Sequence, residues 1–461
     1  YDRTVTSGVD AFVAKDAGEW MEMLETLIVN QPKRTEMAHA ARAKAIDCYS
    51  LEPMTANLDT IISEIAPTIN TAPPWRKKRV LMVNTHFAPQ SIGGATRSEE
   101  GIVQELVHRY SEEFEIEAFC AQQYGRPGTI ERYRACDINV TAYAPHDRPD
   151  LGIGDVDLVT GEVFREYLKK YRPDLIHFHA MQLLSASPLD VAHEMSIPFV
   201  VTTHDGWWLS SHPFLADAEG RLVMDTGDWG DQARIDRLKR RLTLANAVIA
   251  PSRTFAELYR SRGIPNVMAA QNGVSPLLDV PSAPTSGKIV VGLLGGLGVA
   301  KGAALLMQAL RLADFKNLEF IVVDHAASSS SERSENWGSA QVKIIGRVPQ
   351  NEIGNLYAQL HIVLAISVCA ESFGLVAREA LHLGRWVIAS DRGALKEDIV
   401  PGENGFIIDV SNPTQLINAL RTIDDNPEKY RSQNASTQPL TTITQQADEL
   451  VRTYRNILSA S

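Results

Sequence analysis

Apolar positions along this chain cluster into short unbroken runs more often than they alternate. Residues 79–84, 175–178, 198–203 and 247–250 form such runs in the first half, and 288–294, 318–323, 342–345, 362–366, 386–389 and 406–408 in the second. A short run that is apolar at nearly every position reads as a strand covered on both faces, as in a parallel sheet. Strand patterns at 115–119 and 139–142 join the series, and helical periodicity fills the spaces between. That alternation predicts an α/β chain with doubly wound parallel sheets. Asn272-Gly273-Val274, Pro276 and the 281–287 stretch interrupt the series. The chain therefore reads as two Rossmann-like domains, 79–274 and 288–440, facing each other across a cleft. Residues 441–461 are expected to form a helix crossing back to the first domain.

The first 68 residues follow another pattern. Gly8-Val-Asp-Ala-Phe-Val-Ala14 reads as a short strand, with helical stretches at 17–30 and 32–46 and a third after Ser50. Near the other end, Gly402-Glu-Asn-Gly-Phe-Ile-Ile408 also precedes an amphipathic run, and Asn30-Gln-Pro32 has a counterpart in Asp425-Asn-Pro427. This internal repeat makes residues 1–68 the C-terminal tail of an upstream domain of the same type, an unrelated helical cap being the alternative. Residues 69–78, with Pro73 and Pro74, read as a linker. The lack of an initiating methionine fits a piece of a longer polypeptide.

Composition narrows the class. At 461 residues the chain exceeds one domain, and its net charge of -11 opposes a general nucleic-acid binder. Basic runs at 76–79 and 237–241 are solvated faces or, alternatively, contacts for a membrane or an acceptor. Cys48, Cys120, Cys136 and Cys369 lack metal-ligand spacing, which fits a reducing cytoplasm and gives no metal site. No apolar run reaches the ~18 residues of a membrane span. The expected location is the cytoplasm, or its membrane's inner face through peripheral association.

The candidate chemistry lies at strand ends. After the apolar run 362–366 comes Glu371-Ser-Phe-Gly-Leu-Val-Ala-Arg-Glu379. One carboxylate then sits on a strand-to-helix loop and the other about two turns into the helix. Between them, the amides of Phe373, Gly374 and Leu375 fall where a helix begins, which suits a phosphate. Gly93-Gly94, between a strand and a helix, forms a second cradle or simply a tight turn. His177 and His179 end one strand, and His204-Asp205 another. His204 is the stronger candidate for touching a substrate. The long segment that follows carries Trp207 and Trp208, read with Asp205 as acceptor-binding or, for the tryptophans, as core packing.

These residues, with Ala250-Pro-Ser252, Asn272-Gly-Val274, Lys301-Gly302, Gly346, Gly384 and Glu397, resemble the retaining glycosyltransferases of family 4, which have the two-domain GT-B fold. The resemblance covers about 79–430, and residues 1–68 resemble the tail of the same family. It implies that Glu371 binds donor sugar hydroxyls and Glu379 the ribose. Phe373, Gly374 and Leu375 would hold the diphosphate through backbone N–H groups, and Lys301 would neutralise it. Backbone near Arg347 and Val348 would recognise the base, Gly93 and Gly94 would lie against the donor, and His204 would contact the sugar near the reacting carbon. The implied substrates are a nucleotide-diphosphate sugar and a saccharide or lipid-linked saccharide, with no cofactor, in bacterial surface-polysaccharide synthesis such as lipopolysaccharide.

One position departs from the family. The glycine ending the first strand of the second domain is usually followed by an arginine, and here Gly295 is followed by Gly296. Arg97, Arg347 and Arg392 are candidates to compensate. Rival readings remain: a weak or inactive scaffold module, a sugar-nucleotide epimerase, and an oxidoreductase suggested by Gly296-x-Gly298. In the last, Lys301 replaces the third glycine of a dinucleotide fingerprint.

Overall fold

The computed structural model describes residues 4–50, 55, 58, 76–90, 93–122, 124–217, 219–274, 280–349, 352–432 and 441–460. Most of the third helix expected after Ser50 and most of the 69–78 linker lie outside them. The chain divides into two compact units, Tyr1–Arg76 and Lys77–Ser461. In the first, α1 (Ala17–Val29) and α2 (Gln31–Tyr49) follow a short extended stretch. The side chains of Asp16 and Asn30 accept from the first-turn amides of Glu19 and Lys33, which starts one helix after the other.

The second unit holds two sheets. The first contains β1 (Lys78–Asn84), β2 (Phe114–Ala121), β3 (Ile130–Ala135), β4 (Ile138–Tyr143), β5 (Leu175–Phe178), β6 (Phe199–Thr202), β7 (Ala247–Ala250) and β8 (Val267–Ala269). Their order is β3-β4-β2-β1-β5-β6-β7-β8. The helices used below are α3 (Gly93–Arg109), which follows β1, and α4 (Arg253–Ser261), which follows β7.

The second sheet contains β9 (Ile289–Leu293), β10 (Leu318–Asp324), β11 (Glu332–Trp337), β12 (Ala340–Gly346), β13 (Ile362–Ala365), β14 (Trp386–Ser390) and β15 (Gly405–Ile408), ordered β11-β12-β10-β9-β13-β14-β15. After β13 comes α5 (Leu375–His382), and after β15 comes α6 (Pro413–Asp425). Pairing is parallel except for the β3–β4 and β11–β12 hairpins. Both hairpin edge strands escape the sequence pattern, because their side chains are mostly exposed or half-buried.

Burial follows from the apolar runs. Leu81 and Val83 of β1 enter one core cluster while Val80 and Met82 enter another on the opposite face. Each sheet reverses its order beside its first strand, at β1 and at β9. Such switch points open a crevice at the carboxyl ends of the strands. The last helix, α7 (Ile443–Ala460), packs on the first domain. Tyr454 is buried there, and Asp448 accepts from Arg109 and from the Tyr110 hydroxyl, both at 2.6 Å.

The Asn272-Gly-Val274 segment meets this returning chain. Val274 bridges in parallel to Thr442, and the Gly273 N–H donates to Gln446 Oε1 at 2.7 Å. A Cβ on Gly273 would lie 2.2 Å from Ile443 Cα, so only glycine admits the crossing.

Candidate active site

The site begins where β13 ends. The backbone of Glu371 bridges to Gly393, and Ala394 N–H donates to its carbonyl at 2.8 Å. This fixes the loop before α5. Gly374 then takes φ +79 as the N-cap, where a Cβ would meet Leu395 Cδ2 at 2.3 Å. Glycine is required there by both backbone and space. Phe373 is buried beneath the Arg378 guanidinium, 4.0 Å from its ring centre, so it can offer a ligand only backbone. The first-turn amides of α5 have no intrahelical acceptor and form a fixed positive end.

Two further parts meet Glu371. Lys301, on the turn after β9, donates its Nζ to Glu371 Oε1, and the Ser367 hydroxyl donates to the same oxygen at 2.6 Å. Burial lowers the Lys301 pKa, but the neighbouring carboxylate outweighs that and holds it above its usual value. The lysine is therefore charged at neutral pH. Glu379, half-buried on α5, accepts from the Tyr357 hydroxyl at 2.8 Å. Burial raises its pKa, opposed by Tyr357 and by the charge of Arg97 on α3. A cation of the first domain thus acts on the second domain's carboxylate.

Gly94 brings the two halves together. A Cβ built there would lie 3.4 Å from Leu375 Cδ1, so the start of α3 faces the start of α5. Asn84 and Glu99 hold this turn from below. Asn84 Nδ2 donates to Glu99 Oε2 at 2.5 Å, and Glu99 Oε1 is buried without a partner among the described residues. Burial pushes the Glu99 carboxyl up to about 8, so it is neutral at pH 7.

The departure at Gly296 has a structural reason. Its φ is +94, and a Cβ would lie 2.8 Å from His325 Cδ2. His325 is held in turn by Leu294 O, 2.9 Å from its Nε2. Backbone and ring together disfavour an arginine. Of the candidate substitutes, Arg392 is committed to the carbonyls of Val368 and Gly220. Arg347 and Val348 line a cavity of about 240 Å³ with residues 329–331, beyond the end of β12. The Arg347 N–H reaches Ala327 O at 3.4 Å. Arg97, exposed and near Glu379, is the cation best placed at the site.

In the first domain, His204 is buried at the end of β6, and His179 Nδ1 lies 2.8 Å from its Nε2. The nitrogen left for a ligand is therefore Nδ1. Burial lowers His204 to about 4, which makes it a neutral imidazole. Behind it, His177 contacts the Tyr454 hydroxyl at 2.6 Å and Thr202 Oγ1 at 2.7 Å.

The acceptor assignments require correction. Trp207 and Trp208 are 0% and 2% exposed and belong to the first domain's core, with Trp207 Nε1 donating to Gly152 O at 3.0 Å. Neither presents a face to a sugar. Asp205 accepts from Trp207 N–H at 2.9 Å and Gln182 Nε2 at 2.6 Å, so its carboxylate organises its own loop. Burial raises it to about 6.

Glu397 and Ser252 also prove to be structural. Ser252 Oγ caps α4 by accepting from Phe255 N–H. Glu397 accepts from Thr254 N–H of that helix at 2.6 Å and from Arg378 at 3.3 Å, joining the two domains. Among the described residues no cluster of three or more His, Cys, Asp or Glu could hold a metal ion.

Two family descriptions cover the two domains: Glycosyltransferase Family 4 matches residues 92–276, and Glycosyl transferases group 1 matches 278–438. A GDP-mannose-dependent alpha-mannosyltransferase of Mycobacterium tuberculosis (strain CDC 1551 / Oshkosh) is 25% identical over 252 residues, 53% of this chain and 62% of that protein. A phosphatidyl-myo-inositol mannosyltransferase of the same organism is 27% identical over 139 residues, 30% and 37% of the two chains. The chain thus spans less than two thirds of either relative. In structure, sucrose-phosphate synthase from Thermosynechococcus elongatus superposes with a TM-score of 0.64 at 18% identity, over 84% of this chain and 100% of that one.

Proposed function

From the premise that the chain belongs to glycosyltransferase family 4 and has the GT-B fold, we propose that it moves a sugar from a nucleoside-diphosphate donor to a saccharide hydroxyl with retention of configuration. The observation that carries this reading is the meeting of Lys301, Ser367 and Glu371 beside the α5 N-terminus, opposite Gly94. A glycosyl–phosphate bond that breaks puts negative charge on the diphosphate and positive character on the sugar ring. Lys301 and the amides of Phe373, Gly374 and Leu375 stabilise the diphosphate charge. Glu371, released from Lys301, takes sugar hydroxyls, and Glu379 takes those of the ribose. The acceptor oxygen bonds to the anomeric carbon on the face the phosphate leaves, and the acceptor proton passes to a diphosphate oxygen. Neutral His204 offers Nδ1 to the sugar. Gly93 and the Gly296 backbone lie against the donor, and Arg97 supplies the charge that Gly296 lacks. The base occupies the cavity beside Arg347 and Val348.

The acceptor, in this reading, belongs to bacterial surface polysaccharide or its lipid-linked precursor. The name of the phosphatidyl-myo-inositol mannosyltransferase relative supports the lipid-linked case. No described helix is long and apolar enough to cross a membrane. Reaching such an acceptor would call for peripheral association at the cytoplasmic face. The family assignment leaves the oxidoreductase and epimerase readings without support. Gly296 favours one second reading, a donor-binding module without turnover. A donor screen with GDP-, UDP- and ADP-sugars, scored by nucleotide release and by the anomeric coupling of the product, separates the two. Nucleotide binding without release on any acceptor selects the module; inversion at the anomeric carbon overturns retention.

A further inference from the structure

The first unit has no sheet of its own among the described residues, yet it reproduces the last part of one. Gly8 and Gly402 have φ of +84 and +85. Each donates its N–H three residues ahead, Gly8 to Ala11 O at 2.7 Å and Gly402 to Gly405 O at 3.0 Å. The residue before each glycine bridges in parallel to the fourth residue on, Ser7 to Ala11 and Pro401 to Gly405.

The side chains repeat as well. Thr6 N–H donates to Asp10 Oδ1 at 2.6 Å, and Val400 N–H to Asn404 Oδ1 at 2.8 Å. Thr6 O accepts from Val9 and Asp10, as Val400 O accepts from Glu403 and Asn404. Each turn runs into an extended stretch and then a helix of 13 residues, α1 capped by Asp16 and Asn30, α6 by Asn412 and Asn426. Chance similarity of composition does not reproduce a turn bond by bond.

What differs is the cover. In the second domain β15 pairs with β14, and Leu416, Ile417 and Leu420 of α6 are 0%, 7% and 0% exposed. Counted from the N-caps, their counterparts in α1 are Trp20, Met21 and Leu24, which are 59%, 66% and 40% exposed. Residues 12–14, counterparts of 406–408 in β15, pair with no strand among the described residues. An extended segment with no strand beside it among the described residues and an adjoining apolar helix face fit one kind of partner. That partner is the edge and face of a parallel sheet.

We propose that residues 5–29 close a further doubly wound domain built like 280–432 and carried earlier in the same polypeptide. Its edge strand would pair with residues 11–14, and its sheet face would cover Trp20, Met21 and Leu24. The order of the chain selects this source. In the second domain the repeated motif comes after every other strand of its sheet, so the strands that 11–14 would join precede it.

The test compares residues 1–461 with the polypeptide that also carries what its gene encodes before Tyr1. Hydrogen exchange is followed in 11–29, with 405–425 as the standard within each sample. In 1–461 the first segment should exchange at least about 100-fold faster than the second, and in the longer polypeptide within about tenfold of it. Trp20→Glu with Leu24→Glu should restore fast exchange at 11–29 in the longer polypeptide while 405–425 stays protected. If that variant is insoluble, Met21→Cys serves instead, its thiol reacting freely in 1–461 and blocked in the longer chain. Equal exchange of 11–29 in both polypeptides, or a gene encoding no such domain upstream, overturns the proposal.

Discussion

Glu99→Gln should stabilise the second unit at neutral pH and flatten its response to pH. Glu99 is fully buried, with one oxygen bonded to Asn84 and the other without a partner among the described residues. Its carboxyl moves from an ordinary 4.5 to about 8, burial being the main cause. A raised carboxyl pKa means that the folded protein holds a proton that the unfolded chain releases. Stability is then greatest below the unfolded value and falls as pH rises through the window from 4.5 to 8. At about 1.4 kcal/mol per tenfold in the proton equilibrium, the loss between pH 5 and pH 7 is on the order of 2 kcal/mol. Glutamine imitates the protonated acid and carries no such loss.

Urea unfolding of both proteins, followed by exchange in α3 and repeated at pH 5 and pH 7, isolates this effect. Every other titrating group cancels in the difference between the two differences. The variant should gain on the parent by about 2 kcal/mol on going from pH 5 to pH 7. Parallel pH responses would refute the reasoning. That result would mean that Glu99 is ionised in the fold.

Other outcomes follow from the site. Glu371→Gln should lower kcat/KM by roughly 10- to 100-fold, the loss of charge-assisted hydrogen bonds, while nucleoside diphosphate still binds by calorimetry. Arg97→Ala should raise the donor KM about tenfold with a smaller effect on kcat, measured by initial rates at saturating acceptor. Gly296→Arg should not improve donor binding and should cost about 1–2 kcal/mol from its backbone alone, read by denaturation. Adding His325→Ala to it should recover only the part due to the ring. Glu397→Ala removes the carboxylate between Thr254 and Arg378, and the two domains should open in small-angle scattering without donor.

Much of this was legible because the sequence states it locally. A parallel strand buried on both faces is written as an apolar run, so the two sheets and the loop from β13 to α5 could be read directly. Gly374 and Gly393 show their need for glycine only beside Leu395 and the Glu371 carbonyl, which no local pattern predicts. Glu99 left a faint signal, since it stands in helical phase with Ile102, Val103 and Leu106 on the buried face of α3. Tyr357, Ser367 and Gln182 left none, because each reaches its carboxylate through the tertiary fold. The tryptophans misled for the opposite reason. Aromatic residues in a loop suggested a sugar platform, but this loop folds inward and takes them into the core.

The crossing at Gly273 also bears on how the two domains can move. Two peptide connections, at Val274 and Thr442, run side by side and are bridged to each other. A single tether would let one domain swivel about its own axis, whereas paired tethers resist twist and leave bending as the soft coordinate. The cleft should therefore open and shut like a book along that spine, with Gly94 and Leu375 separating and meeting again on nearly the same path. Stiffening the spine should slow turnover by delaying release of the spent nucleotide.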